Sequence, residues 1–334
     1  MDGWAKYFGQ HGQNYVVKGG VLQMPMSSWR PGHCMSPQSS HQNLVQSPQP
    51  IAAANATGTG IGIIASTPDN WSFQHFLDRV AHVLIQGAGL YDSNQTFVLT
   101  GTGHAPQAVV LDMYRLFGFR PEQVKSTPSR PLAKVVYSCR TPLVHPYFAY
   151  RLGEVFGVDF GRPLSSKKAV VFLSRKGRRT LNGGRGVMNE DAVLDAIRTL
   201  LAKRGQGENL VVYNGDNFPT FREVVQFFST HVRALIGVSG GGFYNLRWCG
   251  SDVLLIEVQP RRSSYFMGFW EEARLLQHNH WTMVIDGDAK MNVVIPVERL
   301  VTLTAQQLGQ RAADTVRPMY NWDISEAGMT FRRR

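Results

Sequence analysis

The chain has 334 residues, enough for two domains of ordinary size, and its apolar fraction of 43% with 18% charged residues is typical of globular proteins. No apolar run reaches the roughly 18 residues of a membrane-spanning helix, so the sequence predicts no membrane span. The formal charge of +11 indicates an anionic partner, either nucleic acid, an acidic membrane surface or a phosphorylated small molecule.

Cysteine spacing and targeting signals narrow the class of protein further. The three cysteines form no CxxC pattern, which favours reduced, buried thiols over a zinc site or a disulfide framework. No signal peptide is visible in the first 20 residues. Three Asn-X-Ser/Thr sequons would suit a secretory protein, although so short a motif often occurs by chance; they start at Asn55, Asn70 and Asn94.

The amino-acid composition of the first half of the chain changes near residue 58. Residues 1–58 carry only four charged side chains and are rich in Gln, Ser, Pro and Gly, which predicts an irregular segment. Residues 59–160 then alternate β-branched runs with helical apolar spacing and are predicted to form a first Rossmann-like domain. The predicted strands are 61–66, 95–100 and 134–139.

The series restarts in residues 161–300, which are predicted to form a second Rossmann-like domain. Helices are predicted between its strands, one of them starting in GGFYNLRWC, and residues 301–334 add a C-terminal helix and a basic tail. The fold class is therefore α/β, with two doubly wound parallel sheets that bind ligands beyond the carboxyl ends of their strands. The predicted strands of this half are 167–175, 210–214, 234–239, 252–258 and 281–286.

A basic, glycine-containing loop follows the first strand of the second half. SRKGRRTLNGGRGVMNE, residues 174–190, brings five cationic side chains to the end of an apolar strand. Arginine matches phosphate oxygens with two parallel hydrogen bonds, and glycine lets the backbone approach them closely. We interpret this loop as a diphosphate-binding loop; the alternative is a solvated basic loop.

A glycine-rich turn, GVSGGGFYN (237–245), follows a later strand and precedes the next predicted helix. Exposed amides at a helix N-terminus stabilise phosphate. The turn matches neither the Walker loop nor the dinucleotide fingerprint, which disfavours an ATPase or a Rossmann dehydrogenase. The alternative is a tight turn that needs glycine for its backbone angles.

Two further features are a buried acid and a group of titratable residues on one helix. Glu257 lies inside an apolar strand, where its carboxylate needs a partner: a ribose hydroxyl pair or, equally, a neighbouring arginine. His75, Asp78, Arg79 and His82 follow helical spacing, so one of the first two could act as a general base. The alternative is a surface stripe. Two histidines without a third ligand do not make a metal site.

Taken in order, these landmarks resemble glycosyltransferase family 61, over roughly residues 60–300. The second-half motifs are Ser174-Arg175, Arg178-Arg179, Asn189-Glu190, the run Ser239 to Asn245, and Glu257 with Pro260. The first-half motif is an aromatic-rich helix with Asn70, His75, Phe76, Leu77 and Asp78. One departure is Ser239, where the family usually has His before the glycines.

The resemblance implies an inverting transferase of the GT-B type, with its two Rossmann-like domains facing a cleft. Its donor would be a UDP-sugar of the xylose, arabinose or N-acetylglucosamine class, its acceptor a glycan or protein hydroxyl, and its base Asp78 or His75. No metal or other cofactor would be obligatory, and family members work in the Golgi or endoplasmic reticulum lumen. The donor site would comprise Arg175, Arg178, Arg179, Asn189, Glu190, Ser239, Gly240, Gly241, Asn245 and Glu257.

Two other function classes stay open from the sequence. Ser239 permits a catalytically inactive relative that still binds a nucleotide or glycan. Nucleic-acid binding has only the positive charge in its favour, because no recognition module or aromatic–basic stripe accompanies it. We therefore expect no nucleic-acid partner.

Overall fold

The structure is a computed structural model, and it divides the chain into two compact units, Met1–Phe156 and Gly157–Arg334. Sequence analysis placed the corresponding boundary after residue 160. Each unit holds its own five-stranded sheet, which confirms the α/β class. The residues described are 14–18, 21–23, 49–51, 60–65, 70–87, 94–100, 105–126, 134–138, 146–176, 184–215, 217–261 and 268–312.

The sheet of the first unit has the order β1-β7-β4-β5-β6. All its neighbours are parallel except β1, which runs antiparallel to β7. Strands β1, β2 and β3 lie within residues 1–58, so short ordered pieces occur in the segment expected to be irregular. The bounds are β1 Asn14–Lys18, β2 Val21–Gln23, β3 Gln49–Ile51, β4 Ile61–Ile64, β5 Thr96–Leu99, β6 Val124–Lys125 and β7 Lys134–Ser138.

The first helix of this unit, α1, contains a π-helical turn. It runs as an α-helical turn, Phe73–His75, a π-helical turn, Phe76–Val80, and an α-helix, Ala81–Gly87. Of the apolar residues predicted at helical spacing, Phe73 is partly exposed and the others are buried, with Phe76 and Leu77 fully inaccessible. A π turn inserts one extra residue per turn and is often found at functional sites. The remaining helices are α2 Ala108–Leu116 and α3 Pro146–Phe156, with a 3-10 turn at Pro121–Gln123.

The sheet of the second unit is parallel throughout, in the order β9-β8-β10-β11-β12. All five predicted strands are present. In β8 every residue is buried, because a strand covered on both faces reads as a continuous apolar run. The bounds are β8 Ala169–Leu173, β9 Asn209–Tyr213, β10 Val232–Val238, β11 Leu254–Pro260 and β12 Asn279–Ile285.

Helices cover both faces of this sheet. Alternate strand residues such as Phe172 and Ile236 form one core with helices α4 and α7. On the other side, α5 and α6 pack on a 3-10 helix, with Phe221 against Trp248 and Tyr244 against Phe269. The bounds are α4 Glu190–Arg204, α5 Phe221–His231, the 3-10 helix Gly241–Trp248, α6 Gly268–Leu275 and α7 Val297–Gln307; a short 3-10 turn covers Leu164–Ser166.

The helix predicted to start in GGFYNLRWC is a 3-10 helix rather than an α-helix. Its residues from Phe243 to Trp248 are all buried, including Asn245 and Arg247. An α-helix at a domain surface would alternate a buried and an exposed face. A segment buried on every side has no such periodicity, so packing decides its geometry.

The strand order creates a switch point between β8 and β10. The chain leaves β8 for β9 on one side, and β10 continues to β11 on the other. Loops that follow two such neighbouring strands diverge and leave a crevice at the carboxyl edge, where α/β sheets bind ligands. The basic loop follows β8 and the glycine turn follows β10. The GT-B arrangement of the two units stays a prediction.

Candidate functional site

Arg175 and the Gly240 turn meet at this switch point. A Cβ atom added to Gly240 would lie 2.8 Å from Arg175 Nη1 and 3.7 Å from Arg185 Nη1. The guanidinium groups therefore pack directly on the bare backbone of the turn. Gly240 itself is extended, so its lack of a side chain matters here for space and not for backbone angles.

Hydrogen bonds hold the two arginines in place. Arg175 Nε donates to the Gly184 carbonyl at 3.0 Å, and Arg185 Nη1 donates to the Ser239 carbonyl at 3.2 Å. The end of the basic loop thus folds back on its beginning and on the turn after β10. Gly184 is required, because it has φ +92° and a Cβ there would lie 2.2 Å from the Lys290 carbonyl oxygen.

Arg175, Arg185 and the Gly240 turn form an electropositive cluster, which is called the arginine cluster below. Burial, and secondarily the positive charge of Arg185, lower the pKa of Arg175. Two like charges in a partly buried place repel one another, and a bound anion would relieve this repulsion. Guanidinium tolerates partial burial because it is weakly hydrated, and it presents paired donors that fit a phosphate.

Glu190, one of the predicted donor-site residues, anchors the start of the basic loop. Ser174 Oγ donates to Glu190 Oε1 at 2.8 Å, and Glu190 is only 4% exposed. Lys176 Nζ lies 3.7 Å from Glu190 Oε1 and 3.0 Å from Asp191 Oδ1. These acids at the start of α4 therefore hold two residues that flank Arg175.

Asn189 and Asn245 have backbone partners inside the second unit. Asn189 Nδ2 donates to the Ile295 carbonyl at 2.8 Å, while its Oδ1 accepts from Ile295 N at 2.9 Å. Asn245 Nδ2 donates to the Gly242 carbonyl at 2.9 Å; its buried Oδ1 has no hydrogen-bond partner among the described residues. Asn189 thus holds the end of the basic loop, and Asn245 stabilises the first turn of the 3-10 helix Gly241–Trp248.

Glu257 is fully buried in β11, and its Oε2 lies 3.2 Å from His280 Nε2 on the neighbouring strand. The partner is a histidine, not the arginine that the alternative interpretation expected. A ribose contact stays a prediction. On the other neighbouring strand, β10, the residue in register with Glu257 is Gly237, which has no side chain.

Two predicted site residues, Arg178 and Arg179, lie outside the described residues. Sequence reasoning noted Arg185 in the basic loop without including it in the predicted donor site. It also missed the segment after β12 that contacts this loop. The pattern Asp-Gly-Asp at 286–288 with Asn292 is typical of a turn, but nothing in it indicates a partner a hundred residues earlier.

In the first unit His75 and Asp78 lie side by side. His75 Nδ1 is 3.2 Å from Asp78 Oδ2, and both side chains are about one quarter exposed. Asp78 belongs to the π-helical turn. The side chains of Arg79 and His82 lie outside the described residues. A histidine next to a carboxylate, partly open to solvent, has the arrangement of a base with its orienting group.

Asn70, one of the three sequons, is buried. Its Nδ2 donates to the carbonyls of Ala65 and Thr100, at 2.9 and 2.8 Å. An amide used in this way cannot carry a glycan in the folded protein. Asn94 is exposed, and Asn55 lies outside the described residues.

The described residues hold neither a cluster of metal ligands nor a membrane-spanning helix. No group of three or more His, Cys, Asp or Glu side chains there is placed to hold a metal ion. No helix within the described ranges is both long and apolar enough to cross a lipid bilayer.

Arginine side chains and glycine backbone thus meet at the switch point of a parallel sheet, where α/β domains bind their ligands. The family model for Glycosyltransferase 61 matches residues 73–256, more than half of the chain, and this range includes both the arginine cluster and the His75–Asp78 pair. The chain belongs to glycosyltransferase family 61, and its enzyme class is glycosyltransferase. No curated protein matches it.

Proposed function

We propose that the chain is an inverting glycosyltransferase that moves a sugar from a UDP-sugar to a hydroxyl of a glycan or protein acceptor. The observation that carries the proposal is the convergence of Arg175 and Arg185 on Gly240 at the switch point. The donor sugar belongs to the xylose, arabinose or N-acetylglucosamine class. The GT-B arrangement and a Golgi or endoplasmic reticulum setting are parts of the same proposal.

The arginine cluster would stabilise the leaving group. As the bond between the anomeric carbon and the diphosphate oxygen breaks, negative charge grows on the diphosphate. Arg175 and Arg185 donate hydrogen bonds to that charge, and the amides after Gly240 add their dipoles. The cationic side chains do the work that a divalent metal performs elsewhere, so the proposal includes no obligatory metal or other cofactor.

His75 and Asp78 supply the proton acceptor. The acceptor hydroxyl oxygen forms the new bond to the anomeric carbon, and its proton passes to His75 or Asp78 as the diphosphate leaves. The 3.2 Å contact between the two side chains supports their action as a unit, with one orienting the other.

Arg175→Ala tests the donor site through UDP affinity. We expect the UDP dissociation constant, measured by isothermal titration calorimetry on the full chain, to rise about 10- to 100-fold, because a hydrogen bond to a charged group contributes about 1.5–3 kcal/mol. The matched control is Arg198→Ala, an exposed arginine of α4 paired with Asp195. UDP affinity equal in the two variants, or a preference for GDP over UDP, would overturn the donor assignment.

Asp78→Asn and His75→Gln test the base through kinetics. We expect kcat of the sugar transfer, measured as the release of UDP from the donor, to fall about 10²- to 10⁴-fold, which is the usual contribution of a general base. The affinity for UDP should stay within about twofold of the parent value. Asp112→Asn, an acid of α2 paired with Arg115, is the control. If both base variants keep the parent kcat, the proton acceptor lies elsewhere.

Ser239 favours a second candidate, a family member that binds the nucleotide without transferring sugar. Its backbone is engaged, because the amide donates to Val258 and the carbonyl accepts from Arg185. UDP binding without turnover of UDP-xylose, UDP-arabinose or UDP-N-acetylglucosamine, in the presence of glycan and protein acceptors, would decide for this candidate.

A further inference from the structure

We propose that Asp288 and Asn292, in the turn after β12, are positioning residues for the arginine cluster. They hold the segment 184–187, which in turn orients Arg175 and Arg185. That the arginine cluster binds an anion, and which anion it binds, rests on the proposed function; the positioning itself rests on the contacts below.

The turn is organised by one carboxylate. Asp288 Oδ1 accepts from the amides of Lys290 and Asn292, both at 2.8 Å. Its Oδ2 accepts from Asn292 Nδ2 at 2.9 Å. Met291 has φ +62°, a conformation that a residue other than glycine keeps only when its surroundings hold it there. Asp288 therefore fixes the direction of the Asn292 amide.

Asn292 connects the turn to the end of the basic loop. Its Oδ1 accepts from Gly186 N at 2.9 Å, and the Lys290 carbonyl accepts from Arg185 N at 3.1 Å. Val293 adds a backbone bond to the Gly186 carbonyl and a bridge to Val187. The turn thus binds the backbone on both sides of the Arg185 Cα atom, which is itself left-handed with φ +57°.

The last step runs from the segment to the arginine side chains. The Gly184 carbonyl accepts from Arg175 Nε, and Arg185 reaches the Ser239 carbonyl. Hydrogen bonds joined through the backbone of residues 184–186 therefore link Asp288 to both guanidinium groups. Holding them before the ligand arrives reduces the ordering cost that binding would otherwise carry.

The turn itself is exposed, with Asp288 and Lys290 in solvent. An exposed turn contributes little buried apolar area, so its loss affects the fold less than it affects the direction of Arg175 and Arg185. The proposal therefore predicts a larger effect on anion affinity than on unfolding.

An exchange of the two side chains separates positioning from general disruption. In Asn292→Asp two carboxylates face each other. In Asp288→Asn an amide NH2 donor replaces Asp288 Oδ2, so the Asn292 side chain cannot pair with it and still accept from Gly186 N. The double variant Asp288→Asn/Asn292→Asp restores every donor and acceptor with the net charge unchanged. We expect each single variant to weaken UDP and inorganic pyrophosphate binding about 3- to 10-fold, as a loss of about 1 kcal/mol implies, and the double variant to recover it.

Amide hydrogen exchange of residues 184–187 provides a readout without ligand. The exchange rate should increase in the single variants and return to the parent value in the double variant. The control Asp195→Asn, on the exposed side of α4, should change neither exchange nor binding. Unchanged exchange in the single variants, or a double variant that stays weak, overturns the positioning role. If the parent chain binds neither UDP nor pyrophosphate, while amide exchange in the variants behaves as expected, the proposed function is overturned and the positioning role stands.

Discussion

His278 is a buried histidine behind the 3-10 helix of the second unit. Its Nε2 donates to the Leu246 carbonyl at 3.0 Å, and Nδ1 has no hydrogen-bond partner among the described residues. Burial lowers its pKa to about 3, with further lowering by the nearby charge of Lys167. Lys167 is itself fully buried and donates to the Cys249 carbonyl, and burial lowers its pKa as well. Such groups couple the stability of this unit to pH.

The pKa of His278 predicts acid sensitivity. Between its ordinary pKa of about 6.5 and the folded value of about 3, the unfolded chain binds a proton that the folded chain does not. The free energy of unfolding therefore falls as pH drops through this window, by about 1.4 kcal/mol per pH unit from this residue. We expect His278→Gln to show a flatter decline between pH 6 and pH 4 in urea unfolding. Exposed His231→Gln should follow the parent curve, and parallel curves for all three proteins would contradict the assignment.

Strands β8 and β10 approach each other closely at Gly237. A Cβ there would lie 2.6 Å from Leu173 Cβ and 3.3 Å from the Leu173 carbonyl oxygen. Since neither the backbone nor a Cβ atom can rotate away, the strands would have to separate. This contact sets the spacing of the two strands whose loops carry Arg175 and Gly240.

Gly237→Ala should therefore destabilise the second unit by about 1–3 kcal/mol, the cost of overpacking a filled core. The measurement is the urea midpoint, with the slope as a check on the unfolding model. Gly161→Ala, where a Cβ makes only an ordinary 3.5 Å contact with Asp159, should stay within about 0.5 kcal/mol of the parent. Equal midpoints for the two variants would show that the strands can separate without cost.

The periodicity of the sequence was enough to predict most elements. The apolar runs of β8, β10 and β11 and the charge order of α4 lie in contiguous residues, so local pattern predicts them. It was not enough for the 3-10 helix, where burial on all sides removes the pattern. It also missed β1, whose Tyr-Val-Val run lies in a segment of otherwise irregular composition and whose pairing with β7 is far away in sequence.

At the scale of the whole molecule, two of the cationic side chains behind the net charge of +11, Arg175 and Arg185, lie together in the arginine cluster, where Arg175 is partly buried. A partly buried site is screened by salt much less than an exposed basic surface. Binding to duplex DNA, in contrast, releases counterions and weakens steeply with salt.

The salt dependence of binding should therefore differ between UDP and DNA. Between 50 and 200 mM NaCl we expect UDP affinity to fall less than about tenfold, and binding to random duplex DNA, measured by fluorescence anisotropy, to fall about 10³-fold or more. DNA binding that survives 200 mM salt would restore the nucleic-acid interpretation that the sequence left open.

The sequence by itself determined the α/β class, the strands of the second sheet and the family, because these depend on local periodicity and on motifs of a few neighbouring residues. It also indicated Arg175 and the Gly240 turn as one site. Only the tertiary structure decided that Asn189 binds Ile295, that Glu257 faces His280 and that Asn292 holds Gly186. The physical reason is distance along the chain: each of these contacts joins residues at least 23 positions apart, and strand order and packing, which no local pattern encodes, bring them together.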